Sequence, residues 1–296
     1  MSSSRPRESD PIAPYRRRLL GLAYRMLGSR SDAEDVVQDA YLRFIGADDV
    51  RNPEAFLVTI VTRLCLDRLK SAKAQREIYV GPWLPEPVFD TDGLSTEAAT
   101  ELADDLSFAL LLALDRLSPQ ERAAFLLHDV FDIPFSDIAA MIGRSEPACR
   151  QLATRARRAV RNERPPPAAS DSHAHLLQAF LEAVVNGDMS QLTGLLREDA
   201  VAVTDGGGRK TAALNPIYGA DKVARFFISV AGKAKATGQD IRIEPAMING
   251  GIGALLYMDG ELDHSLSIST DGAKIAAIYL VRNPDKLGYA PVQPRQ

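Results

Sequence analysis

The chain has 296 residues, which at about 150 residues per domain points to more than one domain; 46 % apolar and 25 % charged residues exclude a wholly disordered chain. Apolar runs such as 110–114 are far shorter than the ~18 residues of a membrane span, and residues 1–10 carry no secretory pattern. Cys65 and Cys149 stand outside any zinc or disulfide spacing, so a cytoplasmic protein with no metal, cofactor or membrane association is expected. The net charge of −4 hides two basic stretches, one within 1–80 and one within 144–164, where seven Arg face two Glu. Between them, residues 81–104 hold six acidic residues and no Lys or Arg.

Residues 12–80 read as helices. Leu19, Leu22, Ala23, Met26 and Leu27 form the i, i+3, i+4, i+7, i+8 stripe of an amphipathic helix. Ser31 and Glu34 have capping-box spacing and are expected to open a second helix with Ala33, Val36, Val37, Ala40, Tyr41 and Phe44 inward. A loop at 46–51 follows. Asn52-Pro53 then starts a third helix. Its expected inner face is Phe56, Leu57, Ile60, Val61 and Leu64, with Thr59, Thr62, Arg63, Arg68, Lys70 and Lys73 on the other side.

Residues 81–104 read as a linker, because Pro82, Pro85 and Pro87 forbid a regular helix. The chain's only Trp, Trp83, lies in it. So large an apolar side chain favours burial, against its own domain or another. Residues 105–164 return to helix, with a second capping box at Ser118-Pro119-Gln120-Glu121. A short helix at 135–142, a turn at Gly143-Arg144 and a basic helix at 145–161 then form a helix-turn-helix. A Pro-rich linker at 165–170 follows. Residues 171–296 read as an α+β domain: two helices, a strand at 200–204, a helix at 219–232, then strands at 240–248, 252–258, 261–269 and 274–281. Gly250-Gly251, Asp259-Gly260 and Asp271-Gly272 punctuate an antiparallel meander.

A helix-turn-helix places the start of its second helix in the major groove. Here that presents Ser145, Glu146, Arg150, Gln151 and Thr154 to base edges, where Arg matches guanine and Gln matches adenine. Arg155, Arg157, Arg158 and Arg161 suit phosphates, which supply affinity without sequence information.

Asp32-Ala33-Glu34-Asp35-Val36-Val37-Gln38-Asp39-Ala40-Tyr41 resembles region 2.2 of bacterial sigma-70-family factors. Leu117-Ser118-Pro119-Gln120-Glu121-Arg122 and the helix-turn-helix resemble region 4. With only these two regions, the chain is similar to extracytoplasmic-function (ECF) sigma factors. Trp83-Leu84-Pro85-Glu86-Pro87, Asp205-Gly206-Gly207-Gly208 and Asn283-Pro284-Asp285-Lys286-Leu287 resemble the marks of a subgroup carrying a C-terminal SnoaL-like domain. Two residues depart from the pattern: Phe56 stands where many members have Trp, and Arg209 where they have Lys.

The resemblance implies a fold of two all-α domains, region 2 (12–80) and region 4 (105–164), followed by a SnoaL-like cone (171–296) with a curved antiparallel sheet. It implies RNA polymerase core as partner, met at the β′ clamp helices by Asp32, Asp35, Gln38 and Asp39, and at the β flap. It implies promoter DNA as the other partner, the −35 element read by region 4 and the −10 element opened by region 2. A flipped single-stranded base needs a pocket beside a cationic face, which Asp49, Asn52, Phe56, Arg63, Arg68, Lys70 and Lys73 could supply. No separate anti-sigma factor is implied. Trp83, Leu84, Glu86, the loop Asp205 to Arg209 and the segment Asn283 to Leu287 are expected to meet and exert control.

SnoaL-like cones enclose a pocket open to an unknown small ligand, and some relatives are isomerases or cyclases using an Asp base. Asp205, Asp221, Asp263 and His264 are the candidate acids and bases. Asp205 precedes three glycines and is expected to shape a turn; alternation is expected to put Asp263 outside. A sigma factor that is not itself an enzyme is the reading adopted. A polymerase-independent helix-turn-helix regulator and a cyclase or isomerase with a DNA-binding arm are the alternatives.

Overall fold

Helix α1 (Ala13–Leu27) has a proline in its first turn and ends at Gly28, whose left-handed φ of 71° lets its N–H return to the Tyr24 carbonyl. In this computed structural model residues 11–89, 106–163 and 170–291 are described, without the side chains of 72–77, 162–163 and 170–171. Of the expected linkers 81–104 and 165–170, residues 90–104 and 165–169 lie outside the described residues, as does the Lys73 side chain.

The α1 stripe is buried as expected, but so are Tyr24 and Arg25 on the opposite side. Helix α2 (Arg30–Ile45) covers one face, while α5 (Pro119–Phe125) and a π-helical turn (Leu126–Val130) cover another. The cap of α2 is Ser29, not Ser31: Ser29 is extended (φ −128°, ψ 128°) and its side chain accepts from the Asp32 N–H, while Glu34 pairs with Arg30. Ser31 already lies inside the helix, where it cannot cap.

Helix α3 (Pro53–Glu77) starts at Asn52, whose Oδ1 accepts from the Ala55 N–H at 3.1 Å. Its buried row is Leu57, Val58, Val61, Thr62, Cys65 and Leu69. Thr62 is therefore inside rather than on the polar face, and Phe56, Ile60 and Leu64 are half-buried. The expected row was rotated by about one position, because Val58, Cys65 and Leu69 continue the i, i+3, i+7 spacing as well.

Helix α4 (Phe108–Asp115) is capped by Ser107, and α5 by the full Ser118–Glu121 capping box. Helix α6 (Phe135–Ile142) ends at Gly143 with φ 66°, and α7 (Glu146–Glu163) follows.

The chain divides into two compact units. Of the described residues, the first unit holds 11–71 and 117–156, so both helical regions lie in one body. The second holds 72–89, 106–116 and 157–291, so the start of the linker and α4 belong with the C-terminal residues.

The second unit contains α8 (Ser170–Asn186), α9 (Met189–Leu195), β1 (Leu196–Asp205), β2 (Ile217–Tyr218), α10 (Ala220–Ala236), β3 (Ile241–Ile248), β4 (Gly251–Met258), β5 (Glu261–Thr270) and β6 (Ile275–Val281). The six-stranded sheet has order β2-β1-β6-β5-β4-β3. Strands β3 to β6 form the antiparallel meander, while β1 adds parallel to β6, as a connection through α10 permits. Alternate residues of β6 divide two cores. Ile278 and Leu280 meet Phe180 of α8 and Phe227 of α10; Tyr279 and Val281 meet Leu84 of the linker and Phe108 of α4. Both faces of the sheet are thus covered.

Candidate nucleic-acid interface and linker site

The turn between α6 and α7 is built by Gly143, and Ser145 accepts from the Ala148 N–H at 3.4 Å, aiming the start of α7 outward. Cys149, Leu152, Ala153 and Ala156 face the core. Arg150, Gln151, Thr154, Arg155 and Arg158 are exposed on the other side. Arg150 is paired with Glu146 one turn earlier, and its guanidinium carbon lies 5.0 Å from the Phe135 ring centre. Arg155 pairs with Glu121 at 2.8 Å. The hydrogen bond from Ser118 is the largest influence on the Glu121 carboxyl; burial, next in size, opposes it, and with the added bond from Arg155 the carboxyl is held below its ordinary range.

In region 2, Asp32, Asp35, Gln38 and Asp39 are exposed on α2, as the acidic-face reading requires of them. The residues expected to hold single-stranded DNA are only partly assembled. Asp49 sits in the loop with φ 53° and is exposed. Asn52 caps α3, and Phe56 lies 6.2 Å from Phe44, ring centre to ring centre. Lys70 pairs with Asp67. Arg68 does not stand open: it binds Asp32 at 2.5 Å and reaches Asp35, joining the expected DNA face to the expected polymerase face. Arg63 donates to the carbonyls of Met141 and Ala140, 78 and 77 residues away.

The linker site is the most fully built. Asp205, at the end of β1, is completely buried and does not serve the expected turn. Its carboxylate accepts from the Tyr79 hydroxyl at 2.6 Å, the Leu84 N–H at 2.9 Å and the Lys286 ammonium at 2.7 Å. Its backbone carbonyl accepts from the N–H groups of Arg282 and Asn283. The Lys286 ammonium lies 4.5 Å from the Trp83 ring centre and 5.0 Å from that of Tyr79. Asn283 donates to the Tyr79 oxygen at 3.0 Å and caps the short turn Pro284–Lys286. A Cβ on Gly207 would fall on the Asn283 amide, and one on Gly206 on the Lys210 carbonyl, so the glycines here permit close approach. Gly208, with φ 69°, lies against Val80. Arg209 and Asp285 pair at 3.6 Å on the rim, Leu287 joins the core around Leu84, and Glu86 is buried in the docked segment. Burial first, and then the bond to Asp205, raise the Tyr79 hydroxyl above its ordinary pKa.

Two residues of this site escaped sequence reasoning. Tyr79 gave no signal beyond being aromatic. Asn249 binds the other end of the linker: its Oδ1 accepts from the Val88 N–H, its own N–H donates to the Val88 carbonyl, and its Nδ2 donates to the Leu106 carbonyl. The Asn249-Gly250 dipeptide was a detectable hairpin signal.

Asp263 is inside, not outside. Leu256 pairs with His264 while Tyr257 pairs with Leu262, so Asp263 is the extra residue of a β-bulge and alternation fails there. It binds Lys210 at 2.8 Å, Arg282 at 2.9 Å and His264 Nδ1 at 2.8 Å. Burial pushes its carboxyl up, but those three partners outweigh it and hold it well below the usual carboxylate range. His264 is lowered by burial, with Asp263 opposing. Asp221 is exposed and paired with Arg225. A groove of about 570 Å³ opens between α8 and strands β3 and β4, lined by Leu177, Leu181, Val185, Ile243, Ile252 and Ala254 among others.

Among the described residues, no helix is long and apolar enough to cross a membrane, and no group of three or more His, Cys, Asp or Glu could hold a metal.

Residues 12–75 match the sigma-70 region 2 family and residues 107–160 the sigma-70 region 4 family. The chain is 37 % identical to the ECF RNA polymerase sigma factor SigJ of Mycobacterium tuberculosis, over 98 % of this chain and 96 % of that protein. It is 31 % identical to the probable ECF RNA polymerase sigma factor SigI of the same organism, over 95 % and 96 %. The crystal structure of M. tuberculosis SigJ superposes with a TM-score of 0.74 at 34 % identity, covering 94 % of this chain and 97 % of that one.

Proposed function

The chain belongs to the ECF RNA polymerase sigma factors of the sigma-70 family, and from that membership we propose how its parts share the work of promoter-specific transcription initiation. The partners of a sigma factor are RNA polymerase core and promoter DNA. The exposed acidic face of α2 engages the β′ clamp helices, through Asp35, Gln38 and Asp39 with Asp32 beside them. Region 4 contacts the β flap and lays α7 in the major groove of the −35 element. Region 2 takes the −10 strand with the loop around Asp49 and the basic side of α3.

The observation that carries this reading is the outward face of α7: Arg150, Gln151, Thr154 and Arg158 are all exposed beside a correctly built turn. Run-off transcription with core polymerase tests it. Promoter-specific initiation is expected; binding of the same DNA without initiation would favour a regulator that acts alone.

The C-terminal domain acts as a built-in control element in place of a separate anti-sigma partner. Support comes from the Asp205 site, which binds the chain segment that follows α3. Catalysis finds no support in Asp263, since a carboxylate held by two cations is a weak base. A ligand of the cone would enter by the groove beside α8. The control element works from the cytoplasmic side, where polymerase is.

A further inference from the structure

We infer that Asn249 sets the promoter spacer length that the chain accepts: its one side-chain amide binds both the segment leaving region 2 and the segment entering region 4, and so removes residues 89–105 from the tether between the two DNA-reading regions. This rests on the assignment of regions 2 and 4 to the −10 and −35 elements.

Asn249 occupies the turn between β3 and β4 with φ 53°, followed by Gly250 with φ 80°, the left-handed pair that a two-residue hairpin loop needs. The two strands pair at all eight positions, from Ile241 with Met258 to Ile248 with Gly251, so the turn is a fixed mount. The Asn249 Oδ1 accepts from the Val88 N–H at 3.1 Å, its backbone N–H donates to the Val88 carbonyl at 2.7 Å, and its Nδ2 donates to the Leu106 carbonyl at 2.9 Å. Val88, Leu106 and Asn249 are all buried, so water does not readily replace these bonds. The contact calls for a neutral amide, which carries a donor and an acceptor at once where a carboxylate has acceptors alone. The chain is also held on either side: Leu84 and Phe108 enter one core, and the Phe108 ring stacks on Tyr279 with centres 5.3 Å apart. All of these residues lie in the second unit.

The 17 residues 89–105 lie between two ends bound to the same side chain. As free chain they would add about 20–25 Å of root-mean-square reach, the length of roughly six or seven base pairs at about 3.4 Å each. With both ends on Asn249 they add none. The path from α3 to region 4 then runs through segments seated on one sheet, and the span of the tether is fixed by that sheet rather than by chain length. DNA makes a fixed span selective. Each added base pair moves the −35 element about 3.4 Å away from the −10 element and turns it about 35° around the duplex axis. A tether with about 20 Å of slack absorbs several such steps; a seated one does not.

The test pairs a spacer series with a distance measurement, both in the full chain. Run-off transcription is read on promoters whose spacer is lengthened or shortened one base pair at a time. The intact chain is expected to lose about fivefold or more within about two base pairs of its optimum, whereas Asn249→Gly, which keeps the left-handed turn without the amide, should lose less than about twofold. Asn249→Asp keeps an acceptor for Val88 but loses the donor to Leu106, so it should broaden the profile as well. Dyes on Ile78→Cys and Arg116→Cys, both exposed and both in the second unit, report the tether itself by energy transfer. The native Cys65 and Cys149 are fully buried and do not compete for label. Transfer should be equal in the free chain and in the complex with core polymerase and promoter DNA, and lower in free Asn249→Gly. A flat spacer profile in the intact chain, an unchanged profile in both Asn249 variants, transfer lost in the initiating complex, or transfer in the free chain unaffected by Asn249→Gly each overturns the inference. The free-chain comparison needs neither polymerase nor promoter, so it decides the role of Asn249 even if run-off initiation fails.

Discussion

Lys286 joins Asp205 at 2.7 Å while its ammonium stands 4.5 Å from the centre of the Trp83 ring. One lysine thus neutralises the fully buried carboxylate at the end of β1 and holds the linker tryptophan against the same domain. The cation's preference for an aromatic face and its need for a counter-charge are met by residues far apart in the sequence.

Replacing Lys286 by Met should expose the weakness of that site. Asp205 would keep its bonds from Tyr79 and Leu84 but remain a buried charge without a cation. Breaking one side of a buried pair costs about 3 kcal/mol. Trp83 is the only tryptophan in the chain, so its emission reports this segment alone. A red shift in emission and a lower melting temperature are expected for Lys286→Met. Unchanged emission would show that the linker docks without the lysine.

In region 4, Arg150→Ala should cost ~1–3 kcal/mol at one base pair of the −35 element and relax specificity there. Arg158→Ala should weaken all sequences alike and reduce the salt slope by about 1. Because Arg150 must release Glu146 to reach a base, Glu146→Ala should strengthen binding at the same position. Titrations against a panel of single-base promoter variants at two salt concentrations separate these effects. Identical profiles for the two arginine variants would refute the division into base and phosphate contacts.

The acidic face of α2 offers a charge-reversal test. Asp39→Lys, at an exposed position, should lower affinity for core polymerase about tenfold or more, with the helical spectrum unchanged. Asp35→Lys should do the same and also place a like charge beside Arg68. Co-purification with core at wild-type levels in both variants would remove this face from the polymerase interface.

The helices and turns were legible because their signals are local: Asn52-Pro53, the Ser118 capping box and Gly143 each act within one turn. What stayed hidden was non-local. Nothing near Arg63 announces that its acceptors lie 78 and 77 residues on. Nothing near Asp205 announces Tyr79, 126 residues earlier. Local reading failed where two residues compete for one role, as with Ser29 and Ser31 at the start of α2, or where one extra residue broke a period, as with Asp263 in β5. The family marks named segments that touch in the fold, without giving the chemistry that joins them.

Acid should destabilise the C-terminal unit in two windows. His264 is lowered from 6.5 by burial, so the unfolded chain takes up its proton first; the contribution is present above pH 6.5 and is lost as pH falls through the folded value. Asp263 is lowered from 3.8, so its contribution is present above pH 3.8 and is lost as pH falls below. Melting temperature followed from pH 8 to 3 should show both declines, and His264→Gln should flatten the upper one. An upper decline of equal size in the variant would mean another group is responsible.

Truncation separates the contacts on the linker from the domain that carries them. Deleting 283–296 removes Asn283 and Lys286, and with them the cap over Tyr79 and the cation beside Asp205, but leaves the sheet. The linker is then held mainly by Leu84 in its core and by Asn249 at Val88. Reporter transcription from a cognate promoter should change while core binding persists, because α2 is untouched. Deleting everything from 171 is a harsher change: Leu84 and Phe108, both buried against the sheet, lose their cover together. Two large apolar side chains, each favouring burial by about 1.5–3 kcal/mol, would face water, so aggregation or misplacement of α4 should accompany the loss of promoter choice. Trp83→Ala, which leaves Leu84 in place, should resemble the short truncation rather than the long one. If all three proteins transcribe the reporter as the intact chain does, the docked linker has no part in promoter recognition and the control role proposed for this domain is wrong.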